Sequence, residues 1–135
     1  MLKPQEKEDE RASSCVMKPR ILSWNVRGLN KRRKRLRISN LLKDWKADVI
    51  CFQETKLKSL SRNVLRSLWR CDHFDWCSLD SSGASGGILI MWDTRVVEMV
   101  EKCVGEFTLA VSFKNVADNF VWAFAEVYGP NSGFD

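Results

Sequence analysis

Hydrophobic positions first become regular at Arg20, where Ile21-Leu22-Ser23-Trp24-Asn25 reads as a short strand closed by a turn at Gly28. Asn30 is suited to cap a helix, and beyond it Ile38, Leu41, Leu42 and Trp45 recur at i, i+3, i+4 and i+7, an amphipathic helical stripe. Asp48–Gln53 follows as a strand whose Val49-Ile50-Cys51-Phe52 core is continuous rather than alternating, the pattern of a strand covered on both faces. Strand, helix and strand in so short a span predict a right-handed βαβ unit. A second helix is predicted from Ser61 to Arg70, with Val64, Leu65, Leu68 and Trp69 on one face.

The period then shifts to two. Strands are predicted at Phe74–Leu79, Ile88–Trp92 and Val96–Val104, with Ser81–Gly87 as a flexible loop. A hairpin pairs Phe107–Phe113 with Asn119–Tyr128 across a polar turn at Lys114–Asp118, and Gly129-Pro130 breaks the last strand. The order β-α-β-α followed by about five strands is that of an α/β protein with a mixed sheet, its later strands mostly antiparallel. No internal repeat is visible. Residues 1–17 carry seven charged residues, a proline and two serines with almost no hydrophobic pattern, so they are expected to form a disordered lead to a domain spanning 18–135.

Composition refines this only in places. At 135 residues the chain has room for one domain and its core. No apolar run approaches the ~20 residues that span a bilayer, and the N-terminus lacks the apolar centre of a signal peptide. These features, with five cysteines and no C-x-x-C pair, favour reduced thiols and an intracellular location, nuclear or cytoplasmic. With His73 as the sole imidazole, a structural zinc site is disfavoured. Cys51 reads as a small buried hydrophobe.

Charge changes the picture more. Lys31, Arg32, Arg33, Lys34, Arg35 and Arg37 form one basic cluster, and removing it takes the formal charge from +5 to −1. Three readings stand: a solvated helix face, a surface for a phosphate-rich partner, or a nuclear localisation segment. Cations at the positive end of a helix are electrostatically unfavourable, which suggests that they serve something other than stability.

The candidate chemistry lies where two apolar runs end. Asn25 closes the first strand and Glu54 follows the second, so a βαβ unit brings an amide and a carboxylate together at the carboxyl edge of neighbouring strands, where α/β sheets hold ligands. A carboxylate with a neutral oxygen donor is a common beginning for a Mg²⁺ site. The plainer readings are a surface carboxylate or helix cap for Glu54, a turn-former for Asn25, and core or turn packing for Tyr128. Trp24 and Trp92 read as core rather than base-stacking platforms, and His73 as a loop residue.

Four stretches together carry a family resemblance: Leu22-Ser23-Trp24-Asn25-Val26-Arg27-Gly28-Leu29, Val49-Ile50-Cys51-Phe52-Gln53-Glu54-Thr55-Lys56, Ser85-Gly86-Gly87-Ile88-Leu89-Ile90-Met91-Trp92 and Val127-Tyr128-Gly129-Pro130. In this order they resemble the deoxyribonuclease-I-like endonuclease/exonuclease/phosphatase superfamily, most closely the endonuclease domain of plant non-LTR (LINE-type) retrotransposons. The resemblance implies part of a four-layer α/β sandwich with two facing mixed sheets, and hydrolysis of phosphodiesters with Mg²⁺, or Mn²⁺ in its place. It implies DNA as partner, Glu54 as metal ligand, Asn25 beside metal and scissile phosphate, and Tyr128 as a phosphate contact.

The family's later Gly-Asp-Phe-Asn and Ser-Asp-His segments do not occur here. The chain is therefore expected to be an N-terminal half, lacking the rest of the site and inactive alone. Its sheet is expected to leave an apolar face open to water and prone to self-association. The alternative function is a non-catalytic nucleic-acid-binding piece acting through the 31–37 cluster.

Overall fold

The computed structural model describes residues 18–57, 60–79, 87–106 and 108–127. The chain runs β1 (Ile21–Asn25), α1 (Arg32–Trp45), β2 (Val49–Gln53), α2 (Arg62–Leu68), β3 (Phe74–Leu79), β4 (Ile88–Asp93), β5 (Val97–Val104), β6 (Thr108–Asn115) and β7 (Val121–Val127). The expected lead at 1–17, the loop at 81–86, Tyr128 and the Gly129-Pro130 breaker lie outside the described residues.

Two sheets form rather than one. The first has the order β1-β2-β4-β3 and the second β5-β6-β7. β1 and β2 are parallel, from Ile21↔Val49 to Asn25↔Gln53. β4 runs antiparallel to both β2 and β3, which makes this sheet mixed. The second sheet is wholly antiparallel, with a register shift between Met99 and Glu101.

Alternation along β2 assigns the two cores. Ile50 and Phe52 pack on the helix side with Leu89 and Met91 of β4, Ile38 and Leu42 of α1, and Leu65 and Leu68 of α2. Val49 and Cys51 face the other way, with Ile90 and Trp92, against Val97, Leu109, Val111 and Phe113 of the second sheet. β4 has apolar layers on both sides, and all six of its residues are buried. Trp92 packs edge-on to Phe113 at 5.3 Å, and Trp122 lies 5.1 Å from the same ring, so aromatic contacts tie the sheets together.

This packing corrects the expectation of an open apolar sheet face. The face of the first sheet away from the helices is covered by β5–β7, because alternating Leu109, Val111 and Phe113 need an apolar partner and find it there. The described residues thus form three layers: helices, mixed sheet, antiparallel sheet. Exposed apolar side chains on the strands include Met99, Val100 and Val104 of β5, Val121 and Val127 of β7, and Ile21 of β1, and others lie on α1 and in the β6–β7 turn. No helix among the described residues is long and apolar enough to cross a membrane.

Helix ends follow local rules with one exception. Ser61 caps α2, its Oγ accepting from the Val64 N–H at 3.2 Å. α1 ends on Lys46 in the left-handed region at φ 51°, its N–H bonded to Leu42 O. Asn30 is not the cap of α1, which starts one residue later with Lys31 at the cap, and its Nδ2 donates to Lys56 O at 2.9 Å. Lys31 occupies the cap position with no side-chain bond to the helix, and the first turn holds no acidic residue. The α1 start therefore lacks both usual stabilisers.

Candidate functional site

Because β1 and β2 are parallel and paired in register, Asn25 and Glu54 emerge at the same carboxyl edge. Asn25 Nδ2 donates to Glu54 Oε2 at 2.7 Å, and the Arg27 N–H donates to Asn25 Oδ1 at 3.1 Å. The reversed amide would set its oxygen against a carboxylate oxygen and its NH₂ against an N–H, so these neighbours fix its orientation. The amide oxygen expected to serve a metal is thus directed at the Arg27 backbone, and the amide nitrogen at Glu54.

Backbone bonds brace the edge. Val26 N donates to Gln53 O, Gly28 N to Glu54 O and Leu29 N to Thr55 O, at 3.0, 2.6 and 2.8 Å. The chain holds Arg27, Gly28, Glu54 and Lys56 at positive φ. At φ 100° only glycine sits easily at 28. For the other three the left-handed conformation costs on the order of 1 kcal/mol each, and such strain gathers where a site fixes its side chains.

Beside this pair lies a cleft of about 360 Å³ lined by Arg27, Gly28, Asn30, Lys31, Lys34 and Lys56. Lys34 Nζ donates to Arg27 O at 3.3 Å, tying the helix start to the turn after β1. The basic cluster divides between two clefts. Lys31 and Lys34 face this cleft, whereas Arg32 and Arg35 line another between α1 and α2. Arg33 and Arg37 line neither. Arg35 is largely committed, its Nη1 donating to Leu29 O at 2.8 Å and Asn30 O at 3.0 Å.

Sequence reasoning missed Glu126. From β7 it reaches across the sheets to Gln53, whose Nε2 donates to Glu126 Oε2 and also lies 2.9 Å from Ser23 Oγ. Cys51 Sγ is 3.7 Å from Glu126 Oε1. Burial pushes the Cys51 thiol far up, and the Glu126 charge adds to this, so Cys51 is inert as a nucleophile. The signal was present in the alternation that sets Glu126 on the inward face with Trp122 and Phe124.

His73 stands at the other end. β3 is parallel to β2 through their shared partner β4, and Phe74 pairs with Asp93 while Gln53 pairs with Ile88. His73 therefore precedes β3 at the amino edge of β2, seven residues along the strand direction from Glu54, or about 23 Å at roughly 3.3 Å per residue. Trp92 is buried core, and Trp24 packs between Trp45 and Phe52.

No group of three or more His, Cys, Asp or Glu suited to a metal occurs among the described residues. The donor set still fits one kind of ion. Mg²⁺ keeps several waters and binds through one or two carboxylates plus substrate phosphate, and Glu54 with its orienting amide is such a carboxylate.

A profile for the Endonuclease/Exonuclease/phosphatase family matches residues 22–124. The chain belongs to this family. Among solved structures it is similar to the AP endonuclease LMAP from Leishmania major, with 20% identity and a TM-score of 0.57 over 82% of this chain and 40% of that one. It is also similar to TDP2 from D. rerio, solved with a single-stranded DNA product, with 17% identity, TM-score 0.53, and 84% and 47% of the two chains covered. A third is ANGEL2, a 2',3'-cyclic phosphatase, with 15% identity, TM-score 0.54, and 79% and 39% covered. At these identities the likeness establishes the deoxyribonuclease-I-like fold, of which this chain spans less than half the length of each of the three. No curated protein matches the chain significantly in sequence.

Proposed function

We propose that this chain carries the metal-and-phosphate end of a phosphodiester-cleaving nuclease of the retrotransposon type, acting on DNA. The observation that supports this most is the Asn25–Glu54 pair at the sheet edge beside a cleft of four cationic side chains. Glu54 would hold Mg²⁺, or Mn²⁺, and Asn25 would position its carboxylate through Nδ2 rather than act as a ligand. A bound cation of this kind supplies polarisation of a phosphoryl oxygen and stabilisation of the leaving oxygen. Lys31, Lys34, Lys56 and Arg27 would bind the flanking phosphates and hold the strand against Glu54. Tyr128, one residue beyond β7, remains a proposed phosphate contact on the strength of the resemblance.

Cleavage also needs a positioned water and a base to take its proton. The one histidine lies at the opposite edge of the sheet, and Glu126 is engaged by Gln53. We therefore expect the 135-residue chain to bind DNA without cutting it. Incubation of supercoiled plasmid with Mg²⁺ should give no nicking above that of the Glu54→Gln variant. Nicking that disappears with Glu54→Gln would place a complete catalytic site in this chain.

The second reading is a binding piece with no metal role, favoured by the same cation-lined cleft. It predicts DNA affinity that falls steeply with salt and is indifferent to Glu54→Gln and to Mg²⁺. An intracellular location, nuclear or cytoplasmic, agrees with either reading.

A further inference from the structure

The second cleft of the basic helix belongs to no part of that site. It lies between α1 and α2, has a volume of about 400 Å³, and is lined by Arg32, Arg35 and Leu36 from α1, Asn63, Arg66 and Ser67 from α2, and Arg70 just beyond it. No carboxylate lines it. Asp72 pairs with Arg66 at 2.9 Å from outside, with both side chains more than half exposed, so solvent screens much of that neutralisation. Arg35 is anchored through Nη1 on two carbonyls, but its Nε is buried with no hydrogen-bond partner.

A buried N–H without an acceptor is costly, and guanidinium groups crowded around one space repel each other. A tetrahedral oxyanion in the cleft would relieve the repulsion among the guanidinium groups, because their planar forks match phosphate oxygens in pairs. Position narrows the source. Arg32 and Arg35 adjoin Lys31 and Lys34 on the first turns of α1, so the two clefts flank one helix start. A single polyanionic strand lying over that start would reach both.

We propose that the α1–α2 cleft is a phosphate site that takes a backbone phosphate of the same polynucleotide held at the Glu54 edge. The proposal rests on the nucleic-acid reading above, and adds Arg66 and Arg70, which are distant in sequence from the basic run. It assigns binding, not chemistry, to these residues.

The test uses the full 135-residue chain, a fluorescently labelled duplex oligonucleotide, and inorganic phosphate as a second probe. Arg66→Gln/Arg70→Gln should weaken duplex binding about tenfold or more and flatten the log–log salt slope by about 1.8, the value for two lost phosphate contacts. The lost Arg66–Asp72 pair is exposed and contributes little to stability. The single Arg70→Gln variant, which leaves that pair intact, should show half the change in slope. In ¹⁵N spectra the duplex should shift the Arg35 Nε–H signal.

Unchanged affinity and slope in both variants would overturn the proposal; if Lys31→Gln/Lys34→Gln then weakened binding, the edge reading would survive alone. A cleft that responds to inorganic phosphate while the duplex leaves Arg35 unmoved would overturn the polynucleotide assignment. Loss of binding with Arg66→Gln/Arg70→Gln but none with Lys31→Gln/Lys34→Gln would uphold the cleft and count against the edge.

Discussion

The two ends of the first sheet are built from similar residues and arranged in opposite ways. At the amino edge, carboxylates are satisfied. Asp48 Oδ2 accepts from the Arg20 backbone N–H at 2.8 Å. Asp93 takes three bonds from Arg95: the backbone N–H at 2.9 Å, Nε at 3.0 Å and Nη2 at 2.8 Å. Thr94 closes onto His73 O through both its N–H and its hydroxyl. At the carboxyl edge Arg27, Lys31, Lys34 and Lys56 share one cleft, and four residues hold positive φ. The ion pair Asp93–Arg95 lies at the end remote from Glu54. One edge is organised for stability, and the other keeps strain and like charge together, as a site prepared for an anionic ligand does.

Four substitutions probe that contrast. The largest effects are expected at the Glu54–Asn25 pair. If its amide positions Glu54, Asn25→Ala should lower Mn²⁺ affinity about 10- to 100-fold, the usual cost of losing a ligand's supporting bond, while Glu54→Gln should remove binding altogether. Calorimetric titration measures both. Equal affinity in Asn25→Ala and the parent would show that the carboxylate needs no such support.

At the paired edge the effect should be on stability and should depend on pH. Burial raises the Asp93 carboxyl, but the hydrogen bonds and charge of Arg95 outweigh it and hold the group below its ordinary range. A carboxyl lowered in the folded state contributes stability above its unfolded value of about 4, and loses it as pH falls further. Asp93→Asn should therefore cost about 1–2 kcal/mol at neutral pH, with the difference from the parent shrinking below about pH 4. Urea melts across this range provide the check, and a constant difference would remove the ion pair from the account.

The smallest effect has the most informative sign. Lys31 occupies the cap of α1 in extended geometry without bonding to the helix. Lys31→Ser should stabilise the fold by about 1 kcal/mol, and should weaken duplex binding. A gain in stability without loss of affinity would show that the unfavourable cap is not kept for phosphate.

The fold was legible wherever a local period decided it. Leu41, Leu42 and Trp45 marked α1, and the unbroken Val49–Phe52 run marked a strand covered on both sides. What those strands pack against was not legible: alternation at Leu109, Val111 and Phe113 requires an apolar partner but does not name it. The partner proved to be the first sheet, so one sheet became two. Asn30 is not the cap because the helix starts one residue later, and its amide NH₂ ties instead to a carbonyl at residue 56, distant in sequence. The Asn25–Glu54 meeting was foreseeable because parallel pairing follows from strand–helix–strand order. The partition of the 31–37 run was only half so, since helical spacing separates Lys31 and Lys34 from Arg32 and Arg35 but says nothing of Arg66 and Arg70.

The central claim is that the carboxyl edge, and not the amino edge, receives a divalent cation through Glu54. Mn²⁺ broadens NMR signals steeply with distance, so substoichiometric Mn²⁺ added to the ¹⁵N-labelled chain tests it directly. Signals of Asn25, Arg27, Gly28, Thr55 and Lys56 should broaden first, those of His73, Thr94 and Arg95 should stay sharp, and Glu54→Gln should abolish the pattern. Broadening centred on Asp93, or unchanged by Glu54→Gln, would contradict it.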